Sequence, residues 1–347
     1  MLYRTGDGDK PFVRFGASTP NRDISRNKCC VVFNGRHHYS CVHPQPTHGD
    51  IMEMIGKLSM YVLIIVLGAS MLEALILSRV HKGTARAFDW HEVWISLADL
   101  VGRKLLAFLP LSLATPVFAF AWEHRIHTVT SNTPLTVLML FIGMEFCYYW
   151  YHRASHTMRF FWATHAVHHS PNQLTLSSAY RLGWTSKITG AAMFFTPLVW
   201  FGVKPEVVLA ALSINLLYQF WLHATWIPKL GWLEYLLNTP SSHRVHHASN
   251  AAYLDANFGG VLIVFDRLFG TYVEERADEP CRYGLTTPTT SRNPIVVETE
   301  HWTSLAKDVV NAKSVSDAVS FVLRPPGWLP NGGGETTAEL QKRAKAS

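Results

Sequence analysis

Nine of the 18 histidines in this sequence follow a spacing that suits metal binding. Two are spaced as His-x3-His, two triplets share the spacing His-x2-His-His, and one stands alone: His152 and His156; His165, His168 and His169; His243, His246 and His247; and His223. Residues three and four apart on a helix lie on one face, so we expect each group to project its imidazoles together. Imidazole binds zinc, copper, iron and nickel, so the spacing predicts a metal site without naming the metal.

The number of these histidines predicts two metal ions. One tetrahedral zinc ion needs four ligands, and nine imidazoles exceed that number. Two ions with four or five ligands each would account for all nine. Other histidines of the chain, such as His81, His124 and His301, are interpreted as core or solvated residues instead.

Four polar residues close to these histidines are candidates for orienting them. A group that bonds the second ring nitrogen fixes the orientation of a metal-binding imidazole. Glu145 lies two helical turns before the first histidine pair. Gln219 lies one turn before His223 and could act as a weak ligand or a hydrogen-bond donor. Asp255 and Asn257 follow the last triplet and could bond an imidazole or shape a turn.

Motifs of several other chemistries do not occur in the sequence. It has no G-x-S-x-G nucleophile motif, no P-loop and no G-x-G-x-x-G dinucleotide motif. A zinc-dependent membrane hydrolase is an alternative, but it needs a general base and the sequence lacks H-E-x-x-H. A non-catalytic metal carrier or sensor is the other alternative, and it predicts no oxygen demand.

The elements that must position the histidines are long apolar segments. Five segments hold at most one charged residue each: Leu58–Ser78, Leu105–Trp122, Leu135–Tyr151, Ile188–Val203 and Val207–Leu222. A membrane span needs about 20 such residues, so we predict an all-α integral membrane protein with about four to five transmembrane or re-entrant helices. The last two segments are short and should form a re-entrant hairpin, while Pro110 and Pro116 should kink the second. The alternative is a large soluble protein with these segments as core helices.

The charge pattern predicts where the histidines lie relative to the membrane. The formal net charge is +6, but Lys and Arg are scattered, so we expect no nucleic-acid partner. Residues 79–104 hold five basic residues and residues 151–187 hold four. Cytoplasmic loops carry such an excess of Lys and Arg. We therefore predict that the histidines form a cytoplasmic helical cap.

The histidine motifs and their neighbours resemble those of the fatty acid hydroxylase/sterol desaturase superfamily. The motifs are His152-Arg153-x2-His156, Trp162-x2-His165-x2-His168-His169-Ser170, Ser242-His243-Arg244-x-His246-His247, Asn257-x-Gly259-Gly260 and Asp266-Arg267-x2-Phe269-Gly270-Thr271. The resemblance covers about residues 58–330. Within the superfamily, two segments most resemble the alkylglycerol monooxygenase-like branch and its bacterial relatives: Tyr218-Gln219-Phe220-Trp221-x-His223 and Pro325-Pro326-Gly327-Trp328.

The resemblance implies a membrane-bound non-haem di-iron oxygenase. The nine histidines would be the ligands of two iron ions, with zinc a possible substitute after purification. O2 would be the co-substrate, and a separate reductase or electron-transfer protein would supply electrons. The substrate would be a membrane lipid (fatty acyl, sterol, ether or ornithine lipid) that is hydroxylated or desaturated at a C–H bond. The expected location is a bacterial inner membrane, crossed several times.

The sequence is expected to divide into four regions. Residues 1–51 are polar and without periodicity, and are predicted to be a disordered or spurious extension. Residues 52–134 should hold the N-terminal transmembrane helices, and residues 135–280 the fatty acid hydroxylase-type catalytic domain. Residues 281–347 should form a C-terminal cytoplasmic segment whose last dozen residues are a mobile tail.

Overall fold

The computed structural model describes residues 48–83, 87–130, 133–289 and 291–346. This part of the chain is helical, as predicted, and contains no β-strand, only two isolated bridges that join Leu237 to Leu262 and Ala248 to Tyr283. Its α-helices are α1 (His48–Val80), α2 (Trp90–Leu106), α3 (Ala114–Glu123), α4 (Pro134–Thr157), α5 (Arg159–His169), α6 (Thr196–Trp200), α7 (Pro205–Gln219), α8 (Pro240–His246), α9 (Val264–Phe269), α10 (Pro294–Val310), α11 (Val315–Leu323) and α12 (Thr337–Ala346). Short 3-10 helices occur at Leu176–Tyr180, Ala191–Phe195, Trp221–His223, Gly231–Tyr235 and Ala251–Tyr253.

The chain divides into two compact units, Met1–Val62 and Leu63–Ser347. In the first unit, residues 48–62 are helical. The predicted N-terminal extension lies outside the described residues up to position 47. The histidine motifs all belong to the second unit.

Two of the described helices are long and apolar enough to cross a membrane. They are Gly56–Val80 within α1, and Pro205–His223, which is α7 with the 3-10 turn that follows it. Both coincide with predicted apolar segments. Only 17% and 22% of their most apolar stretches are buried within the protein. Core helices of soluble proteins are mostly buried, so this exposure favours the membrane interpretation.

The predicted segment Leu105–Trp122 is not one helix, and this prediction was wrong. The helix is broken over residues 107–113, between the end of α2 and the start of α3. Pro110 has no N–H to donate and disfavours helical geometry at the residue before it. Pro116 lies in the first turn of α3, where a missing N–H costs little. The prolines therefore end one helix and permit the next, rather than kinking a continuous one.

The predicted segment Ile188–Val203 folds as short pieces that lead into α7. The 3-10 helix Ala191–Phe195 continues directly into α6, which is only five residues long. The chain then turns at Gly202, whose φ is 97°. A Cβ at this position would lie 2.1 Å from the carbonyl oxygen of His127, so the turn requires glycine.

Helix α4 carries the first histidine pair out of an apolar core. Thr133 caps its N-terminus through a side-chain bond to the backbone N–H of Thr136. Further along, Met144 and Tyr148 pack with Phe118 of α3 and with residues of α6 and α7. The last two turns of α4 then hold buried histidines instead of apolar residues, so the helix joins the core to the cap.

Helix α5 carries the second histidine group and packs against α2, α10 and α11. The contacts are made by two small apolar clusters, Ile95 with Val167 and Val297, and Ala163 with Leu305 and Phe321. α5 is thus surrounded on several sides, which fixes the direction of its imidazoles.

Residues 337–346 form the helix α12, so the predicted mobile tail is wrong for this stretch. Thr336 and Glu339 exchange side-chain and backbone hydrogen bonds in the manner of a capping box. Gln341 also donates to the carbonyl oxygen of Leu254 at 3.4 Å. The cap and this contact explain why a polar, charged sequence is helical here.

Candidate metal centre

The nine predicted histidines form two adjacent groups. In each group, one ring nitrogen per residue lies within 4.8 Å of the others. The five-histidine group consists of His152, His156, His165, His169 and His246, and the four-histidine group consists of His168, His223, His243 and His247. The division matches the predicted number of four or five imidazoles per ion.

Each triplet contributes to both groups, so the expectation that a triplet projects together was wrong. The first and last residues, such as His165 and His169, share a group, but the middle residue, His168, belongs to the other. Adjacent residues of a helix point about 100° apart around its axis, so the second and third histidines of a triplet face different directions. The two groups are adjacent, since the rings of His169 and His247, from different groups, stack with centroids 4.4 Å apart.

The outer ring nitrogen of several histidines is bonded to the protein. Nδ1 bonds to the carbonyl oxygens of Phe258, Arg181, Gln219 and Ala256 in His152, His168, His223 and His246, at 2.9 to 3.0 Å. A carbonyl oxygen can only accept, so Nδ1 carries the hydrogen in each of these neutral rings. Their Nε2 atoms are left with bare lone pairs that face the interior of the group.

These inward nitrogens fit a metal ion. Nε2 of His165 lies 3.0 Å from that of His152 and 3.2 Å from that of His169. Nε2 of His156 and of His246 is buried without a hydrogen-bond partner. Bare nitrogen atoms that converge in a dry interior need a cation or a shared hydrogen between them, since a buried unpaired acceptor costs about 1–3 kcal/mol. The donor set is all imidazole, which suits iron or zinc.

The surroundings keep most of the histidines of the two groups uncharged. Burial, reinforced by neighbouring imidazoles, holds the pKa well below the ordinary histidine value in His165, His169, His243, His246 and His247. Burial also lowers the pKa of His168 to about 4. The neutral form is the one that coordinates metals, so no proton has to be displaced at neutral pH.

Glu145 and Gln219 do not contact the imidazoles through their side chains, contrary to the sequence-based expectation. The Glu145 carboxylate accepts from the Asn215 amide and from the backbone N–H groups of Val261 and Leu262. The Gln219 amide bonds Asn215 and the Tyr148 hydroxyl. Gln219 orients His223 through its backbone carbonyl instead, because the helical turn brings that oxygen to Nδ1.

Glu145 nevertheless supports the site through a backbone turn. It holds one end of the turn at residues 258–262, and Asp266 holds the other by accepting from the N–H groups of Phe258 and Gly259. The carbonyl of Phe258 is then in place to fix His152. Burial raises the pKa of Asp266 to about 6. Gly259 is required here, since a Cβ would lie 2.2 Å from the Leu262 carbonyl oxygen.

Asp255 and Asn257 each take one of the two predicted roles, Asp255 contacting an imidazole and Asn257 shaping the backbone. The Asp255 carboxylate lies 3.2 Å from Nδ1 of His156 and can orient that ring. Asn257 shapes the backbone, since its side chain bonds the main chain of Ser242 and Val273. Both residues have positive φ, 54° and 59°. Asp and Asn adopt this conformation more readily than most other residues.

A cavity of about 630 Å³ leads to both groups. Its wall includes His156, His169 and His246 of the five-histidine group and His247 of the other. Apolar side chains also line it, namely Trp162, Leu254, Leu285, Trp328, Leu329 and Leu340. The volume is that of a typical small-molecule site.

Sequence reasoning missed the contribution of the C-terminal helices. His301, interpreted as a core or solvated residue, lines the cavity from α10, and burial lowers its pKa to about 4. Trp328 and Leu340 line it from the segment after α11. No motif spacing connects these positions to the histidine triplets. The Pro325–Trp328 motif was the one signal that pointed to this region.

The chain's relation to known proteins agrees with this geometry. The family model for fatty acid hydroxylases matches residues 137–271, which contain all nine histidines. This region of the chain therefore belongs to the fatty acid hydroxylase family, and the resemblance predicted from the motifs is confirmed.

Particular relatives are lipid-modifying enzymes. Over 284 residues the chain is 34% identical to alkylglycerol monooxygenase of Xenopus tropicalis, covering 81% of this chain and 61% of that protein. The human alkylglycerol monooxygenase is 36% identical over 75% of this chain and 58% of its own length. Ornithine lipid hydroxylase OlsE of Rhizobium tropici is 27% identical over 51% of this chain and 53% of its own length. The chain thus spans about three fifths of the first two relatives. No solved structure is significantly similar to it.

The Asp255–His156 contact gives a test of the five-histidine group. Asp255→Gly keeps the positive φ and removes the carboxylate, so we expect metal affinity in this group to fall about 10- to 100-fold. Asp255→Asn keeps an acceptor for Nδ1 and should retain most of the affinity. Competition with a chelator measures both. Wild-type affinity in the glycine variant would contradict a role for Asp255 in orienting His156.

Proposed function

We propose that the chain is a membrane-bound, O2-dependent non-haem di-iron enzyme that hydroxylates a C–H bond of a lipid. The observation that carries this proposal is the convergence of nine imidazoles in two adjacent groups within a fatty acid hydroxylase region. The five-histidine group would hold one iron ion and the four-histidine group the other. Bound iron would supply the one-electron and O2 chemistry that amino-acid side chains lack.

The protein's own part in this reaction is to hold and shield the centre. The backbone carbonyls fix the imidazoles, so that the ligand geometry is set before any substrate arrives. Burial keeps bulk water from the groups, which limits side reactions of an oxidising centre. The net reaction converts R–H, O2, two electrons and two protons to R–OH and water. We propose that a separate reductase delivers the electrons.

The cavity supports a lipid substrate. Its apolar side chains, including Trp162, Leu285 and Leu340, would contact an alkyl chain and bring one carbon to the imidazole groups. We favour hydroxylation over desaturation because the relatives include monooxygenases and a lipid hydroxylase by name. Their substrates, alkylglycerols and an ornithine lipid, suggest an ether or amino-acid lipid, with fatty acyl and sterol lipids as the wider class.

We further propose that the chain has four to five membrane or re-entrant helices. Residues 52–134 would lie in the membrane. The histidines of residues 135–280 would lie in a cytoplasmic cap, and residues 281–347 would form the rest of that cap. In addition to the two long apolar helices, α4 supports this arrangement. A stripe of exposed apolar residues runs along it at helical spacing: Leu135, Leu138, Met139, Ile142, Phe146 and Trp150. Water would not favour so large an exposed apolar face, whereas lipid would.

Isotope labelling tests the reaction. Membranes containing the purified protein, or a host with and without the gene, are supplied with 18O2 and a reductant, and lipids are analysed by mass spectrometry. We expect a lipid that gains one 18O atom. Loss of two hydrogens would indicate desaturation instead. No lipid change in the presence of O2 and an electron donor would contradict the oxygenase proposal.

Metal analysis tests the two-ion site. We expect two irons per chain in protein produced in iron-supplemented medium, and a loss of at least one iron in His169→Ala, because this imidazole belongs to the five-histidine group. His124→Ala, at the exposed end of α3, is the control and should keep both. One zinc per chain would favour a hydrolase, and metal bound with no oxygen consumption would favour a carrier.

Narrowing the cavity tests the path of the substrate. Leu340→Trp, on α12, places a larger ring in the cavity wall, so we expect turnover of long-chain lipid to fall at least about tenfold, the effect expected of a 1.4 kcal/mol penalty. Iron content should not change. Ala338→Trp is the matched control, since Ala338 is exposed on the same helix outside the cavity wall. Equal activity in both variants would contradict substrate binding in this cavity.

A further inference from the structure

A second, smaller cavity of about 190 Å³ lies at the break between α2 and α3. Its wall combines three basic residues with apolar side chains and contains no acidic residue. The basic residues are Arg103, Lys104 and Lys187, and the apolar ones include Leu109, Leu111 and Ile188. It is separate from the cavity that leads to the histidines, since the two share no lining residue.

The charge of this cavity is not balanced within the described part of the chain. Arg103 is paired with the buried Asp99, with 3.3 Å between Nε and Oδ2. Lys187 donates to the carbonyl oxygens of Ala107 and Leu109 at 2.9 and 2.8 Å, and neither it nor Lys104 belongs to an ion pair among the described residues. The cavity therefore carries about two positive charges without a counter-ion.

The cavity opens on an exposed apolar surface. The broken segment presents Phe108 and Leu111 to the outside, with 87% and 51% of their surfaces exposed, and Leu105 and Leu113 are similarly exposed. A molecule that fills the cavity would therefore meet cationic side chains in its wall and apolar side chains on the surface around it. That combination describes an anionic amphiphile better than a free ion or a neutral lipid.

We propose that this cavity binds the anionic head group of a membrane lipid, with its acyl chains lying along Leu109 and Leu111. The ammonium groups of Lys104 and Lys187 would bond the phosphate oxygens. Basic pockets between membrane helices recognise anionic head groups in this way. The proposal rests on the membrane placement proposed above, but not on the iron or oxygen chemistry, so the two can fail separately.

The position of the cavity suggests what a bound lipid would do. Lys187 and Trp184 lie on the segment that also contains Arg181, and the carbonyl oxygen of Arg181 bonds Nδ1 of His168. The indole of Trp184 packs directly on Gly102 of α2, where a Cβ would lie 2.4 Å from the ring. A head group bound to both α2 and this segment would hold the Arg181 carbonyl in place and so stabilise the four-histidine group.

Lipid binding to the intact, metal-loaded protein in detergent tests the proposal. After delipidation, phosphatidylglycerol, phosphatidylcholine and inorganic phosphate are titrated separately, with native mass spectrometry and Tm as readouts. We expect phosphatidylglycerol to bind and raise Tm, at least about tenfold more tightly than phosphatidylcholine, and phosphate to have no effect. Equal binding of the two lipids, or an equal effect of phosphate, would overturn the assignment.

Two variants and a matched control locate the site. Lys104→Gln removes an exposed charge that makes no ion pair, so the fold should survive, and Lys187→Gln removes the other cation. We expect each to weaken phosphatidylglycerol binding at least about fivefold. Lys82→Gln, beyond the end of α1, carries the same charge change outside the cavity and should bind normally. Unchanged binding in Lys104→Gln, or an equal loss in Lys82→Gln, would exclude a site here.

Discussion

The structure depends on directing nine imidazoles, eight of them buried, toward one another. A dry interior penalises a charged ring and also an unpaired nitrogen, so each imidazole needs a partner on both sides. For five of the nine rings the outer partner is a carbonyl of Phe258, Arg181, Gln219 or Ala256, or the Asp255 carboxylate. The inner side is left for a cation. The surrounding helices hold the imidazoles and their outer hydrogen-bond partners in place.

Rigidity around the site comes from buried polar bonds as much as from apolar packing. Glu145, Asn215, Gln219 and Tyr148 form one connected network between α4 and α7. The same Glu145 carboxylate holds the backbone at Val261, so the network reaches the turn that fixes His152. A satisfied network of this kind specifies one arrangement of its helices, because any shift would leave buried polar groups unpaired. Apolar contacts alone would tolerate small slides between α4 and α7.

The sequence predicted the histidines, the helical fold and the two most apolar helices, because each of these leaves a periodic or compositional pattern. It could not predict which imidazoles share a group, since that depends on the direction of α5 and α8 relative to each other. The broken helix at Pro110 was predicted as a kink, because a proline in an apolar segment permits either outcome. The cavity wall from α10 to α12 left no pattern, since His301 and Leu340 meet the site only through tertiary packing.

The division of each triplet between the groups makes the two halves of the centre mechanically inseparable. His168 and His169 are joined by one peptide bond, as are His246 and His247, yet each pair faces two different groups. A small rotation of α5 or α8 would therefore disturb both groups at once. Conversely, an ion that settles in one group fixes the helices that the other group needs. Filling of the centre should therefore be cooperative, with few chains holding a single ion when metal is limiting.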